Sequence, residues 1–284
     1  MKLLITGANG FTGQHLVARA RARGDDIIEL QADLTDKEAV QREISASVPD
    51  GVIHLAGISF VGHKDPGAFY QVNVIGTLNL LSALATLAQP PKSILLASSA
   101  NVYGNCALSP ISEAQLPLPI NHYAMSKLAM EYMSCTYIPQ LPLFFVRPFN
   151  YTGRGQNASF LIPKLVAHFA QRAPTIELGN LEVEREFNDV RFICESYFRL
   201  LEKAKPGDAY NICSGQTVTL QQVLALLSQI TDHHPKISVN PAFVRANEVH
   251  RLCGDPRKLL AAVGEIELPA LQETLRWMLQ PAAA

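Results

Sequence analysis

The sequence predicts an α/β fold in which helices cover both faces of a parallel sheet, and three observations carry that prediction. Short apolar runs alternate with segments of helical length. The first run ends in a glycine-rich turn that opens a helix-length segment. Of the 284 residues, 48% are apolar and 17% charged, enough for a large core.

Five runs read as strands: KLLIT at 2–6, DIIEL at 26–30, GVIHLA at 51–56, SILLAS at 93–98 and LFFVRP at 143–148. Their near-continuous hydrophobicity fits strands buried on both faces. Helices are expected over residues 13–23, 36–47, 70–87 and 123–136. After Asn150 the rhythm changes. YTGRGQNASFLIPKL starts polar before turning helical, DAYNICS (208–214) reads as a strand, and TVTLQQVLALLSQI (217–230) as a capped amphipathic helix.

Composition narrows the function classes. A net charge of −1 offers no basic field for nucleic acid, and no run approaches the ~18 apolar residues of a membrane span. MKLLITGANG is too briefly apolar for a signal peptide. The five cysteines are scattered without a CxxC pair, which fits reduced thiols in a cytoplasmic protein and indicates neither zinc nor a disulfide framework.

TGANGFTG places Gly7, Gly10 and Gly13 directly after the first strand. Such a turn suits a dinucleotide pyrophosphate: Gly7 allows the tight turn, Gly10 lets backbone N–H groups approach phosphate, and Gly13 lets helix and strand pack closely. The expected fold is therefore a Rossmann-type doubly wound sheet over 1–150, rejoined by the chain at about 187–213, with a smaller α/β substrate-binding lobe over 151–284. The end of the second strand holds Gln31, neither the acid that suits NAD nor the arginine that suits NADP, so both cofactors stay open. Asp33 and Leu34 are placed to meet the adenine, whereas Thr35 and Asp36 fit a helix N-cap better.

Tyr123 and Lys127 stand four apart and share one helix face. A free tyrosine titrates near ~10, and a neighbouring ammonium, with an oxidised nicotinamide, can stabilise its phenolate. Ser99, at the end of the fourth strand, can hydrogen-bond a substrate oxygen. The bland alternative is a surface Tyr–Lys pair and a strand-end serine.

TGANGFTG, HLAG (54–57), NVIGT (73–77), SSANVYG (98–104) and YAMSK (123–127) stand in the order of the extended short-chain dehydrogenase/reductase family, which the chain resembles over nearly its whole length. The resemblance implies Ser99, Tyr123 and Lys127 as the catalytic set, with Lys127 on the nicotinamide ribose. It implies cofactor contacts from Gly7, Gly10, Phe11, Gly13, Asp33, Leu34, Leu55, Ala56, Gly57, Asn73, Tyr123 and Lys127, and it implies a homodimer through helices 70–87 and 123–136.

RPFNYTGRGQ (147–156), LGNLEVEREFNDV (178–190), YNICSG (210–215) and VRANEV (244–249) resemble the branch acting on nucleotide-activated sugars. That implies reduction of the C4 ketone of GDP-4-dehydro-6-deoxy-D-mannose. Ser99 and Asn150 would contact the sugar-nucleotide, Asn180 and Leu181 would lie near the base, and Arg185 on the diphosphate. Arg245 would contact phosphate or ribose, and Glu248 the ribose hydroxyls.

The residues alone also allow a solvated salt-bridged strand around Arg185, a surface pair for Arg245 and Glu248, and a turn cap for Asn150. His54 reads as a packed core histidine. Arg154 stands where the branch has proline, and Tyr151-Thr152 where it has a histidine-led pair; both are expected near the sugar. The short stretch before Asp33 implies that a strand common in the family is missing or shrunken.

A dehydratase would need acid and base groups after the serine. Ala100 and Asn101 supply neither, leaving reduction ahead of C4 epimerisation with tightly bound NAD and of a non-catalytic dinucleotide sensor.

Overall fold

The computed structural model describes residues 1–59, 63–181, 183–241 and 251–280. Its centre is a six-stranded parallel sheet: β1 (Lys2–Thr6), β2 (Asp26–Glu29), β3 (Gly51–His54), β4 (Ser93–Ala97), β5 (Leu143–Pro148) and β10 (Ala209–Ile212). The order across it is β10-β5-β4-β3-β1-β2. The chain leaves β1 toward one edge and returns on the other side at β3, so the carboxyl ends of β1 and β3 flank the crevice where such sheets bind ligands. Thr6, His54, Leu96 and Phe145 lie in one row of the register. Gly7, Leu55, Ser99 and Asn150 therefore follow from the same edge.

The continuous apolar runs arise because successive side chains enter different cores. Leu3, Ile5, Leu95, Phe144 and Val146 pack with α1 (Phe11–Ala22) and α7 (Val190–Lys203). Leu4, Ile94, Leu96 and Phe145 pack on the opposite face with α2 (Lys37–Ser47), α4 (Thr77–Ala85) and α5 (His122–Cys135). Each fully buried leucine or isoleucine contributes about 1.5–3 kcal/mol. Asp36 caps α2 by accepting from the Ala39 N–H at 3.0 Å, and Asn121 caps α5 by accepting from Ala124 at 2.9 Å.

The expected helix at 70–87 is the end of a longer rod: α3 (Pro66–Tyr70), a π-helical turn (Gln71–Gly76) and α4. By length and composition its 20 residues could cross a membrane, with a mean hydropathy of 1.3 over an 18-residue stretch, half of which is buried inside the protein. Between β2 and α2 there is no further strand, as the short linker implied.

A second core joins α6 (Leu161–Ala170), α8 (Leu220–Thr231) and α10 (Leu271–Leu279) with the paired strands β7 (Thr175–Leu178) and β12 (Lys236–Val239). Beside it, β8 (Glu184–Arg185) is the middle strand between β11 (Val218–Thr219) and β13 (Arg251–Leu252), while β6 (Tyr151–Thr152) pairs with β9 (Asn188–Asp189). The large sheet also receives α9 (Arg257–Val263), whose Leu259 packs with α7 and Tyr210.

Candidate catalytic and cofactor site

Helix α1 starts at Gly10, an N-cap that makes no side-chain hydrogen bond to the N–H groups of the first turn. The turn before it closes through Gly10 N–H to Gly7 O at 3.0 Å. Gly7 has φ +70°, and a Cβ there would meet the Ala56 N at 2.9 Å. At Gly13 a Cβ would strike the Gly7 and Ala8 carbonyls. This bare helix N-terminus in a close-packed glycine turn fits a dinucleotide pyrophosphate.

Phe11 stacks on Tyr151 at 6.0 Å between ring centroids, and Thr12 Oγ1 hydrogen-bonds the Tyr151 hydroxyl at 2.8 Å. Asp33 is exposed, and its Oδ1 accepts from the Thr35 N–H and hydroxyl at 2.8 Å each, which holds its carboxyl below the usual range. The Leu34 side chain lies in the core against Gly76. Burying it there leaves only the Leu34 backbone for a ligand.

The loop after β3 is held by a directional hydrogen-bond chain. Thr77 Oγ1 donates to Asn73 O at 2.7 Å, so it accepts from His54 Nε2 at 2.8 Å, and His54 Nδ1 then accepts from Thr6 Oγ1 at 2.7 Å. Thr6 Oγ1 in turn accepts the Ala56 N–H at 3.1 Å. Burial and the Lys127 charge push His54 down to about 3, keeping it neutral. It is a satisfied core histidine.

Asn73, expected among the cofactor contacts, uses its side chain within the protein. Its Oδ1 accepts from Ile58 N at 2.9 Å, and its Nδ2 donates to Ile58 O at 3.3 Å and Ser126 Oγ at 2.9 Å. It therefore acts on the site by fixing the 55–58 loop to α5. A Cβ on Gly57 would sit 2.7 Å from Asn73 Oδ1 and 3.3 Å from Lys127 Nζ, so this floor is also bare. Leu55 and Ala56 pack their side chains toward opposite cores.

Ser99, Tyr123 and Lys127 are all buried where β4 ends against α5. Lys127 Nζ donates to Ala97 O at 2.8 Å, and burial lowers it to about 8 against the opposing Glu131 charge. Tyr123 lies above its ordinary value because burial outweighs the Ser99 hydroxyl facing it. In the protein alone the tyrosine is thus held protonated. Ser99 Oγ accepts from Asn101 N at 3.2 Å and Asn101 Nδ2 at 3.0 Å. Beneath α5, Glu131 binds Arg147, whose Nη1 donates to the Tyr103 hydroxyl at 2.9 Å, and Tyr103 donates to Asn211 at 2.7 Å.

Asn150 is exposed at the end of β5, its carbonyl accepting from Asn188 N at 3.0 Å. Asn180 and Leu181 follow β7, and Leu181 packs partly into the second core. Arg185 is half-buried on β8, with Nη1 donating to Glu184 O at 2.9 Å. The acids beside it are not a uniform solvated face. Glu184 engages Thr217 and Arg251, while Glu186 is fully buried and accepts from Gly254 N, Asn188 Nδ2, Ser214 N and Ser214 Oγ at 2.6–3.0 Å. Glu186 thereby ties together three segments around Arg185. Nothing in its alternating-acid context distinguished it. Arg245 and Glu248 lie outside the described residues.

The two departures from the branch pattern have structural partners. Arg154 turns away from the crevice: it donates to Trp277 O at 2.6 and 3.1 Å and lies 5.3 Å over the Trp277 ring. Tyr151 faces α1 through Phe11 and Thr12. Both join the C-terminal half to the glycine-loop helix.

Residues 22–264 match the family described as GDP-mannose 4,6 dehydratase. A GDP-6-deoxy-D-talose 4-dehydrogenase from Aggregatibacter actinomycetemcomitans is 38% identical, over 93% of this chain and 92% of the relative. A GDP-6-deoxy-D-mannose reductase from Pseudomonas aeruginosa is 34% identical, over 98% and 96%. The structure of RMD from Pseudomonas aeruginosa complexed with NADPH superposes with a TM-score of 0.91 at 33% identity, covering 98% of both chains.

Proposed function

Because the chain belongs to the GDP-mannose 4,6 dehydratase family, whose members are NAD(P)-dependent short-chain dehydrogenase/reductase enzymes of nucleotide sugars, we propose that it reduces the C4 ketone of GDP-4-dehydro-6-deoxy-D-mannose to GDP-D-rhamnose. The observation that carries this reading is the setting of Ser99. An asparagine amide, not an acid, stands beside its hydroxyl, and the facing Tyr123 is held protonated. Elimination of water needs a proton-transferring acid at that place, whereas ketone reduction needs a donor for the developing alkoxide. The relatives' names, one a reductase and one a 4-dehydrogenase of GDP-6-deoxy sugars, agree with C4 redox chemistry.

A bound nicotinamide supplies the hydride. The protein's part is to hold the ketone oxygen between Ser99 and Tyr123, with Tyr123 giving its proton as charge builds on that oxygen. Lys127 binds the ribose and places positive charge beneath it. Arg185 meets the diphosphate with charge-assisted hydrogen bonds, Asn180 and Leu181 meet the base, and Asn150 the sugar. Exposed Met125 and Tyr132 on α5, with Ile75 in the π-helical turn before α4, form the face of a homodimer.

Turnover with cofactor deuterated at the transferable position tests the reading. Deuterium at C4 of a rhamno-configured product is expected, and product without deuterium at C4 would remove it.

A further inference from the structure

Ser99 has one proton to give and two lone pairs to accept with. Both acceptor positions are met by one residue: the backbone N–H of Asn101 at 3.2 Å and its side-chain Nδ2 at 3.0 Å. Asn101 sits in a 3-10 turn (Ala100–Tyr103) whose other members are buried. Asn101 alone is exposed, yet its amide folds back onto Ser99 rather than standing in solvent. With two donors aimed at Ser99 Oγ, its proton has only the crevice side left, where Tyr123 lies.

We propose that Asn101 is a positioning residue that fixes Ser99 as a hydrogen-bond donor, so that Tyr123 keeps its own proton for the substrate oxygen. This rests on the reading of Ser99 and Tyr123 as the reacting pair. Without the Nδ2 donor, Ser99 Oγ regains a free lone pair and can accept the Tyr123 proton, turning the pair inward on itself. A carboxylate at the same place would accept a hydrogen bond from the Ser99 hydroxyl and reverse the array completely.

Several groups face Tyr123. Lys127 stands one turn along its own helix, Tyr151 comes from β6, Tyr197 from α7, and the apolar Phe69 from α3 at 6.0 Å. None of them changes when residue 101 is replaced.

Asn101→Ala and near-isosteric Asn101→Asp separate the roles, because both retain the backbone cap on Ser99. Turnover, KM, melting temperature and the Tyr123 ionisation, read as the ultraviolet difference from Tyr123→Phe, are measured for each. Asn101→Ala is expected to lower kcat about tenfold and Asn101→Asp about 100-fold, with KM and melting temperature held and Tyr123 titrating at higher pH. Wild-type kcat and an unmoved tyrosine titration in both variants would overturn the inference, as would a loss confined to KM. Wild-type turnover in Tyr123→Phe would instead overturn the underlying reading of the catalytic pair.

Discussion

Arg147 of β5 and Glu131 of α5 form a buried two-point ion pair, with Nε donating to Oε1 at 3.0 Å and Nη2 to Oε2 at 2.6 Å. Glu131 stands one turn beyond Lys127, so the pair pins α5 to the sheet and keeps a negative charge below the ammonium.

Replacing Glu131 with glutamine leaves the Arg147 guanidinium buried without its counter-charge. The loss of stability is expected to be about 3–5 kcal/mol, read from urea denaturation. Lys127 also loses the charge that opposes its burial, so its pKa falls further.

Lys127 reduces stability where it sits. Its folded pKa of about 8 lies below the ordinary 10.5, so the unfolded chain binds more protons between those values, and stability rises with pH across that window. Lys127→Met removes a burden of roughly 3 kcal/mol at neutral pH and loses a hydrogen bond worth about 1 kcal/mol. The variant should be inactive yet about 2 kcal/mol more stable near neutral pH, with the gain gone once pH passes 10.5. Denaturation curves at neutral and strongly alkaline pH check both the size and the direction.

Gly13→Ala sets a methyl group against the Gly7 and Ala8 carbonyls, which are backbone and cannot rotate away. A destabilisation of about 1–3 kcal/mol and loss of cofactor affinity are expected, measured by denaturation and by fluorescence titration with NADH and NADPH.

Arg185→Ala should raise KM for the nucleotide sugar by about 10-fold or more with kcat nearly kept, since it removes binding present before and during reaction. An unchanged KM in steady-state kinetics takes Arg185 off the diphosphate.

The central strands were legible because double-sided burial writes itself as an unbroken apolar run, as Leu3, Leu4 and Ile5 show by entering different cores. The cap at Asp36 was legible because capping is local chemistry. Partners distant in sequence were not. Glu186 resembled Glu184 until Ser214 and Gly254 came beside it, and Arg154 resembled a sugar-site substitution until Trp277 took its guanidinium. The π-helical turn holding Asn73 depends on how the rod meets α5, and local propensity carries no trace of that.

Tyr123→Phe removes only the hydroxyl that, on the proposed function, donates to the ketone oxygen. Turnover should fall by about 10²–10⁴-fold while GDP and cofactor binding, read by calorimetry, stay intact.

The most direct test mixes the protein with reduced cofactor and GDP-4-dehydro-6-deoxy-D-mannose and follows cofactor absorbance to completion. One cofactor oxidised per sugar consumed is the predicted result. A sugar converted with no net oxidation of cofactor would contradict the assignment.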